Sequence, residues 1–334
     1  MPSIIEARGL TKRYKQHVAV NHIDLEVQEG EIFGILGPNG AGKTTTLEMI
    51  EGLRVPDAGS ITVDGLDAIT QSEQVRKIIG VQLQTTALFP FLNASELIGL
   101  FANLYAVPNP QSRAPELLRL VNLEEKATAR VDELSGGQQQ RLSIALALVN
   151  TPRVTFLDEP TTGLDPLARR NLWQTILGVR DAGTTVVLTT HYMEEAEVLC
   201  DRIAIMDGGR VIACDTPAGL IRSLVLEATV SATMASGTID EETLGSMPGV
   251  VSAAVATHEA VPRLRLQTNN AQATITALLA HATTHDLVLD DLNSTRATLE
   301  DVFLAKTGRT YTQDQGDETP VEVAPPKRRG RRAA

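Results

Sequence analysis

Nine residues, Gly37-Pro38-Asn39-Gly40-Ala41-Gly42-Lys43-Thr44-Thr45, constrain this chain more than any other stretch. They follow an apolar run, Ile32 to Leu36, and lead into Thr46-Leu47-Glu48-Met49-Ile50. The pattern G-x-x-x-x-G-K-[ST] thus sits between an expected strand and an expected helix. Glycines admit backbone conformations and close approaches that bulkier residues forbid, so successive N–H groups can turn inward on phosphate oxygens. A helix beginning near Lys43 adds its positive dipole end. Lys43 is then placed to reach β- and γ-phosphates, and the Thr44 hydroxyl to ligate magnesium. The expectation is an α/β protein with a nucleotide site.

The segments around this loop extend the α/β reading. Residues 3–10 and 21–28 read as strands, the second with Ile23, Leu25 and Val27 alternating with polar neighbours. Tyr14 falls in the polar connection between them, either as a ring that stacks on a base or as an exposed loop tyrosine. A turn at 55–60, a short strand at 61–63 and a strand ending at 78–84 follow. Residues 94–130 read as mainly helical, with Pro108 and Pro110 dividing them.

Three further stretches carry chemistry. Leu134-Ser135-Gly136-Gly137-Gln138 opens a helix, with Ser135 as N-cap and Gln138 in the capping-box position. Paired glycines at a helix start also suit an anion, and the lack of a lysine here suggests a phosphate contacted from another direction. Val154-Thr155-Phe156-Leu157 is a short strand that ends in Asp158-Glu159. The pair is either a surface acidic pair or two carboxylates with separate tasks on opposite strand faces, Asp158 holding magnesium and Glu159 activating water. The β-branched run Thr184 to Thr190 reads as a central parallel strand, and His191 stands at its C-terminal end, where open α/β sheets bind ligands. His191 is expected to contact phosphate or else to cap the next helix.

Together these motifs resemble the nucleotide-binding domain of ATP-binding cassette (ABC) ATPases, over residues 3–220 with a helical subdomain at about 85–150. The resemblance implies that Tyr14 stacks adenine, that Gly37 to Thr45 is the Walker A loop, and that Gln84 is the Q-loop glutamine, with Gln82 as the alternative. It makes Ser135 to Gln138 part of the family signature, Asp158 and Glu159 the Walker B aspartate and catalytic glutamate, Asp165 the D-loop residue and His191 the switch histidine. Magnesium would be held by Thr44, Gln84 and Asp158. The family mechanism implies two copies trapping two ATP molecules, each between one chain's Walker A loop and the other's signature, and a permease on a separate membrane chain.

Residues 221–309 follow a strand–helix–strand–strand–helix–strand order, the ferredoxin-like arrangement, and read as an accessory or dimerisation domain. Its expected strands are 224–230, 250–256, 263–267 and 286–292, and its helices 239–247 and 270–281. A last helix, Leu299 to Leu304, is similar to the C-terminal end of daunorubicin-resistance-type exporter ATPases, as is Thr190 to Glu197. That likeness favours a drug, antibiotic or lipid exporter over an importer or a soluble ABC protein. Residues 310–334 read as a disordered tail ending in five basic charges within 327–332. The net charge of −11 argues against a nucleic-acid partner. Cys200 and Cys214 form no disulfide framework, the first residues lack a secretory pattern, and no apolar run reaches the ~20 residues of a membrane span. The expected location is the cytoplasmic face of the cell membrane, reached through the permease.

Overall fold

The computed structural model describes residues 2–82, 88–224, 228–256 and 262–307. In chain order the first part contains β1 (Ser3–Tyr14), β2 (His17–Gln28), β3 (Ile32–Leu36), α1 (Lys43–Ile50), β4 (Ala58–Val63), β5 (Leu66–Asp67), α2 (Ser72–Ile78) and β6 (Ile79–Gln82). There follow α3 (Ala94–Leu104), α4 (Pro110–Leu120), α5 (Gly136–Ala147), β7 (Val154–Asp158), α6 (Pro166–Asp181), β8 (Thr185–Thr190), α7 (Met193–Leu199), β9 (Arg202–Asp207), β10 (Arg210–Asp215) and α8 (Pro217–Arg222). The last part holds β11 (Ala228–Ser236), α9 (Glu241–Gly245), β12 (Val250–Ala256), β13 (Arg263–Thr268), α10 (Ala271–Thr284), β14 (Val288–Arg296) and α11 (Leu299–Thr307).

The central sheet has the order β10-β9-β3-β8-β7-β6, parallel except for the edge strand β10. Every residue of β3, β7 and β8 is buried, as expected of parallel strands covered on both faces. Alternate residues serve two cores. Phe33, Ile35, Phe156 and Val187 face a cluster shared with α1 and the antiparallel sheet β2-β1-β4-β5. Ile32, Leu36, Leu157, Val186 and Leu188 face the helices α3 to α8 on the other side. The phosphate loop leaves the C-terminal end of β3, one strand from β7 and adjacent to β8, so three strand tips converge there.

Several elements depart from expectation. Tyr14 is not in a polar connection; it is the last residue of β1, and the strands are joined by Lys15 and Gln16 alone. The helices of the 94–130 region stop at Leu120, because Asn122 adopts a left-handed φ of 53° and the chain continues through short 3-10 turns. The helix expected at 239–247 is confined to five residues after the Asp240 cap, and β14 starts two residues later than expected and runs to Arg296. Gln84 and the expected tail, residues 310–334, lie outside the described residues.

The C-terminal sheet has the order β12-β13-β11-β14, with every pairing antiparallel. Val230, Ala232, Met234, Leu264 and Leu266 form its core with Leu244 of α9 and Leu278 of α10. Helix α11 does not join that core. Its Leu299, Val302 and Phe303 are buried in the helical cluster of the first part, beside α7 and α8. Among the described residues no helix is long and apolar enough to cross a membrane.

Candidate active site

The loop after β3 is held open by close backbone packing. A side chain at Gly37 would strike the Met206 carbonyl at 2.4 Å, and one at Gly42, whose φ is 97°, would strike the Ala19 carbonyl at 2.4 Å. Only glycine lets the loop pass this near β9 and β2. Lys43, 5% exposed, donates to the carbonyls of Gly37 at 2.9 Å and Pro38 at 3.3 Å, which curls the loop around its ammonium group.

Asp158 is buried and the Glu159 side chain is only 8% exposed, which removes the surface reading. Asp158 closes β7; its Oδ1 accepts from the Thr44 hydroxyl at 3.3 Å and from the hydroxyl of Thr189 on β8. Burial raises the Asp158 pKa, partly offset by the Thr189 bond, and the neighbouring Glu159 charge raises it further. Glu159 does not owe its separate direction to strand alternation. It lies beyond β7 with a φ of 46°, a left-handed turn that swings the carboxylate out of the strand's path. The Glu159 N–H donates to the Thr189 hydroxyl at 2.9 Å, which fixes that turn.

Glu159 is the electrostatic centre of the site. Oε1 lies 3.2 Å from Lys43 Nζ, Oε2 lies 3.1 Å from His191 Nδ1, and the Thr162 hydroxyl donates to Oε2 at 3.2 Å. Burial pushes its pKa up, but the His191 hydrogen bond and the Lys43 charge outweigh it and hold the group down to about 2. Glu159 is therefore ionised at neutral pH and able to accept a hydrogen bond from a water. His191 does not cap the following helix: the N-cap position of α7 is Tyr192, which makes no side-chain cap. The Tyr192 ring lies 4.1 Å from the His191 ring and is stacked by the Arg169 guanidinium at 4.3 Å.

A cavity of about 350 Å³ opens over the loop. Tyr14, Asn39, Gly40, Gly42, Lys43, Thr44, Thr45 and Glu159 line it, so the expected base-stacking ring and the phosphate loop share one space. Pro38 and Ala41 complete the loop, with the Ala41 N–H donating to the Pro38 carbonyl at 3.1 Å. Thr44 and Asp158 present two oxygen donors of the type a hard divalent cation takes. His17 and Ala19 also line the cavity, and Thr189 organises both acids. Sequence reasoning missed all three. Thr189 is just another β-branched residue of a buried strand, and only its pairing beside β7 reveals its role.

The second glycine motif stands apart. Ser135 accepts from the Gln138 N–H at 3.4 Å while the Gln138 side chain accepts from the Ser135 N–H at 2.9 Å, so the expected capping box is present. Gly137 allows α5 to approach α6, where an added side chain would meet Ala168 at 2.9 Å. Asp165 caps α6 through the Leu167 and Ala168 N–H groups at 3.0 and 2.9 Å. None of Ser135, Gly136, Gly137, Gln138 or Asp165 is among the residues described as lining the loop cavity.

Residues 20–162 match the family model described as "ABC transporter". The linearmycin resistance ATP-binding protein of Bacillus subtilis (strain 168) is 36% identical over 310 residues, 92% of this chain and 99% of that protein. A Nod factor export ATP-binding protein I of Cupriavidus metallidurans is 44% identical over 225 residues, covering 67% of this chain and 74% of its own. Among solved structures, an ATP-binding subunit of an ABC transporter superimposes with a TM-score of 0.59 at 31% identity, over 66% of this chain and 92% of its own. A dimeric ATP-binding cassette in a post-hydrolysis state, bound to ADP and phosphate, gives 0.57 at 31% identity over 64% and 98%.

Proposed function

Because this chain belongs to the ABC transporter family, as an ATP-binding and ATP-hydrolysing subunit, we infer that it works as a homodimer powering export through a separate membrane permease. The observation that carries this reading is the division of the motifs. Lys43, Thr44 and Glu159 line one cavity, backed by Asp158 through Thr44 and by His191 through Glu159, whereas Ser135 to Gln138 are not among the residues described as lining it or bonded to these groups. A helix start with paired glycines and no lysine suits a phosphate carried by a second copy. Isologous pairing places each signature over the partner's loop.

Within one such site, Tyr14 would stack the base and the Gly37–Thr45 loop would cradle the phosphates. Thr44 and Asp158 fit magnesium, with Gln84 as a third ligand carried from the family pattern. The donors are oxygens, and no described cluster of three His, Cys, Asp or Glu residues encloses the position. That is how magnesium binds beside phosphates, keeping several waters. When bound, the ion would neutralise charge on the β- and γ-phosphates. Glu159 orients and deprotonates the attacking water, and His191 holds Glu159 in place from the side opposite Lys43.

Export is supported by the roles of the relatives, linearmycin resistance and Nod factor export. The apolar residues Phe89 and Phe91, 53% and 80% exposed just after the Gln84 position, offer the docking surface for the permease, at the cytoplasmic face of the membrane. Residues 3–220 would form the ATPase domain and 221–309 the accessory domain, where the order β12-β13-β11-β14 with two helices on one face supports the ferredoxin-like reading. Light scattering of the Glu159→Gln chain tests the dimer: ATP with magnesium should double the particle mass, and a monomer at saturating ATP would refute it. Co-purification with a permease, lost on Phe91→Asp, tests the docking surface.

A further inference from the structure

Among the described residues, α9 and α10 pack on one face of the C-terminal sheet. Along β11 and β13 the inward residues are Val230, Ala232, Leu264 and Leu266, so the alternate residues Thr229, Ser231, Arg263 and Arg265 occupy the opposite face. Arg263 and Arg265 sit two positions apart on one inner strand, which spaces their stems by about 7 Å. Their cross-strand neighbours are short: Ala256 beside Arg263, and Ala254 and Ser231 beside Arg265. Long side chains rising between short ones leave a hollow of about 490 Å³, within the ~300–1,000 Å³ range of small-molecule sites.

The chemistry of the hollow is one-sided. Its described lining consists of two guanidinium groups, the hydroxyls of Thr229, Ser231 and Thr295, and two alanines, with no carboxylate. An acidic cross-strand partner would stabilise such arginines, and here alanines, Ser231 and Thr233 stand in that place. Arg263 makes no ion pair among the described residues, and Arg265 only reaches Asp301 of α11 at 3.6 Å. In a chain of net charge −11, two adjacent arginines surrounded by hydroxyls call for an anion from outside.

The Arg265 contact leads back to the ATPase site. Asp301 Oδ2 accepts from the Thr298 N–H at 2.9 Å and so helps to fix the start of α11. The next N–H, Leu299, donates to Glu197 of α7 at 2.9 Å, and α7 begins two residues after His191. We propose that the open face of the β12-β13-β11-β14 sheet binds a small ligand with two oxyanion groups, and that its capture of Arg265 alters the hold of α11 on α7 and thereby the rate of ATP hydrolysis.

Succinate is the probe, because a dicarboxylate spans the arginine spacing. The full chain is titrated calorimetrically at constant ionic strength without nucleotide. Saturable one-site binding is expected, weakened about tenfold or more by Arg263→Gln, as for loss of one charge-assisted hydrogen bond. Arg263 is the clean position because its substitution leaves the Arg265–Asp301 pair in place. Absence of binding, or equal affinity in the variant, overturns the site. Steady-state ATPase rates should change with succinate in the natural chain, and Arg263→Gln should need about tenfold more succinate for the same change. An unchanged rate in the natural chain overturns the regulatory link.

Discussion

Lys43 Nζ stands 3.2 Å from Oε1 of Glu159, so the phosphate-loop cation and the candidate general base form a buried ion pair across the cavity. His191 holds the other carboxylate oxygen at 3.1 Å. One glutamate is thus gripped from two sides, and both grips depend on strands that are distant in sequence.

Replacing Glu159 by glutamine keeps the shape of the side chain and removes the base. Turnover should fall by about 10²–10⁴-fold, the usual contribution of a positioned general base. Phosphate release measures it, and a rate within a factor of about two of the natural chain would falsify the assignment. Because the Glu159 pKa is held down to about 2, the carboxylate stays ionised through neutral pH. Its folded-state ion pairs stabilise the protein above the ordinary value of 4.5, and that contribution fades as pH falls through about 2.

Lys43→Ala removes the cation that reaches into the loop. Nucleotide affinity should drop by about 10–100-fold, as for losing a hydrogen bond from a charged group to phosphate. Calorimetric titration with ATP reads the change. Normal affinity would remove Lys43 from the phosphate cradle.

Glu51, at the C-cap of α1 and 1% exposed, carries a different pH signature. Burial, with the charges of Asp158 and Glu48, raises its pKa from 4.5 to about 8. Between those values the folded state keeps a proton that the unfolded state has released, so stability falls as pH rises. The full cost, of order 3–5 kcal/mol, is reached only above about pH 8. Glu51→Gln mimics the protonated form and should raise Tm more at pH 8.5 than at pH 6. Equal shifts at the two pH values would show that Glu51 is not protonated in the fold.

Arg113 of α4 is a buried bracket for α5. Its guanidinium donates to the carbonyls of Leu148 and Val149, where α5 has ended, and to Glu116. Arg113→Met retains apolar volume but strands those carbonyls, at a cost of about 2–4 kcal/mol. Arg113→Lys should recover only part, since one ammonium cannot copy the fork. Urea unfolding of the three chains checks the order; indistinguishable midpoints would sink it.

The linear sequence determined what depends on neighbours along the chain. Gly37 and Gly42 announce a loop that must pass close to other backbone, Ser135 and Gln138 announce their capping box, and the apolar and β-branched runs of β3, β7 and β8 announce a covered parallel sheet. Tertiary structure alone decided what depends on strands meeting. Thr189 becomes the organiser of Asp158 and Glu159 only because β8 lies beside β7, a pairing that spans 31 positions. The direction of Glu159 rests on a left-handed turn that no residue preference signals, since glutamate seldom adopts it. Helix α11 follows the C-terminal sheet in sequence yet buries Leu299, Val302 and Phe303 in the first core, because the helices there present the apolar surface it needs. Local patterns write the elements and their motifs; which motif faces which is set by burial and strand order, and these exist only in the folded chain.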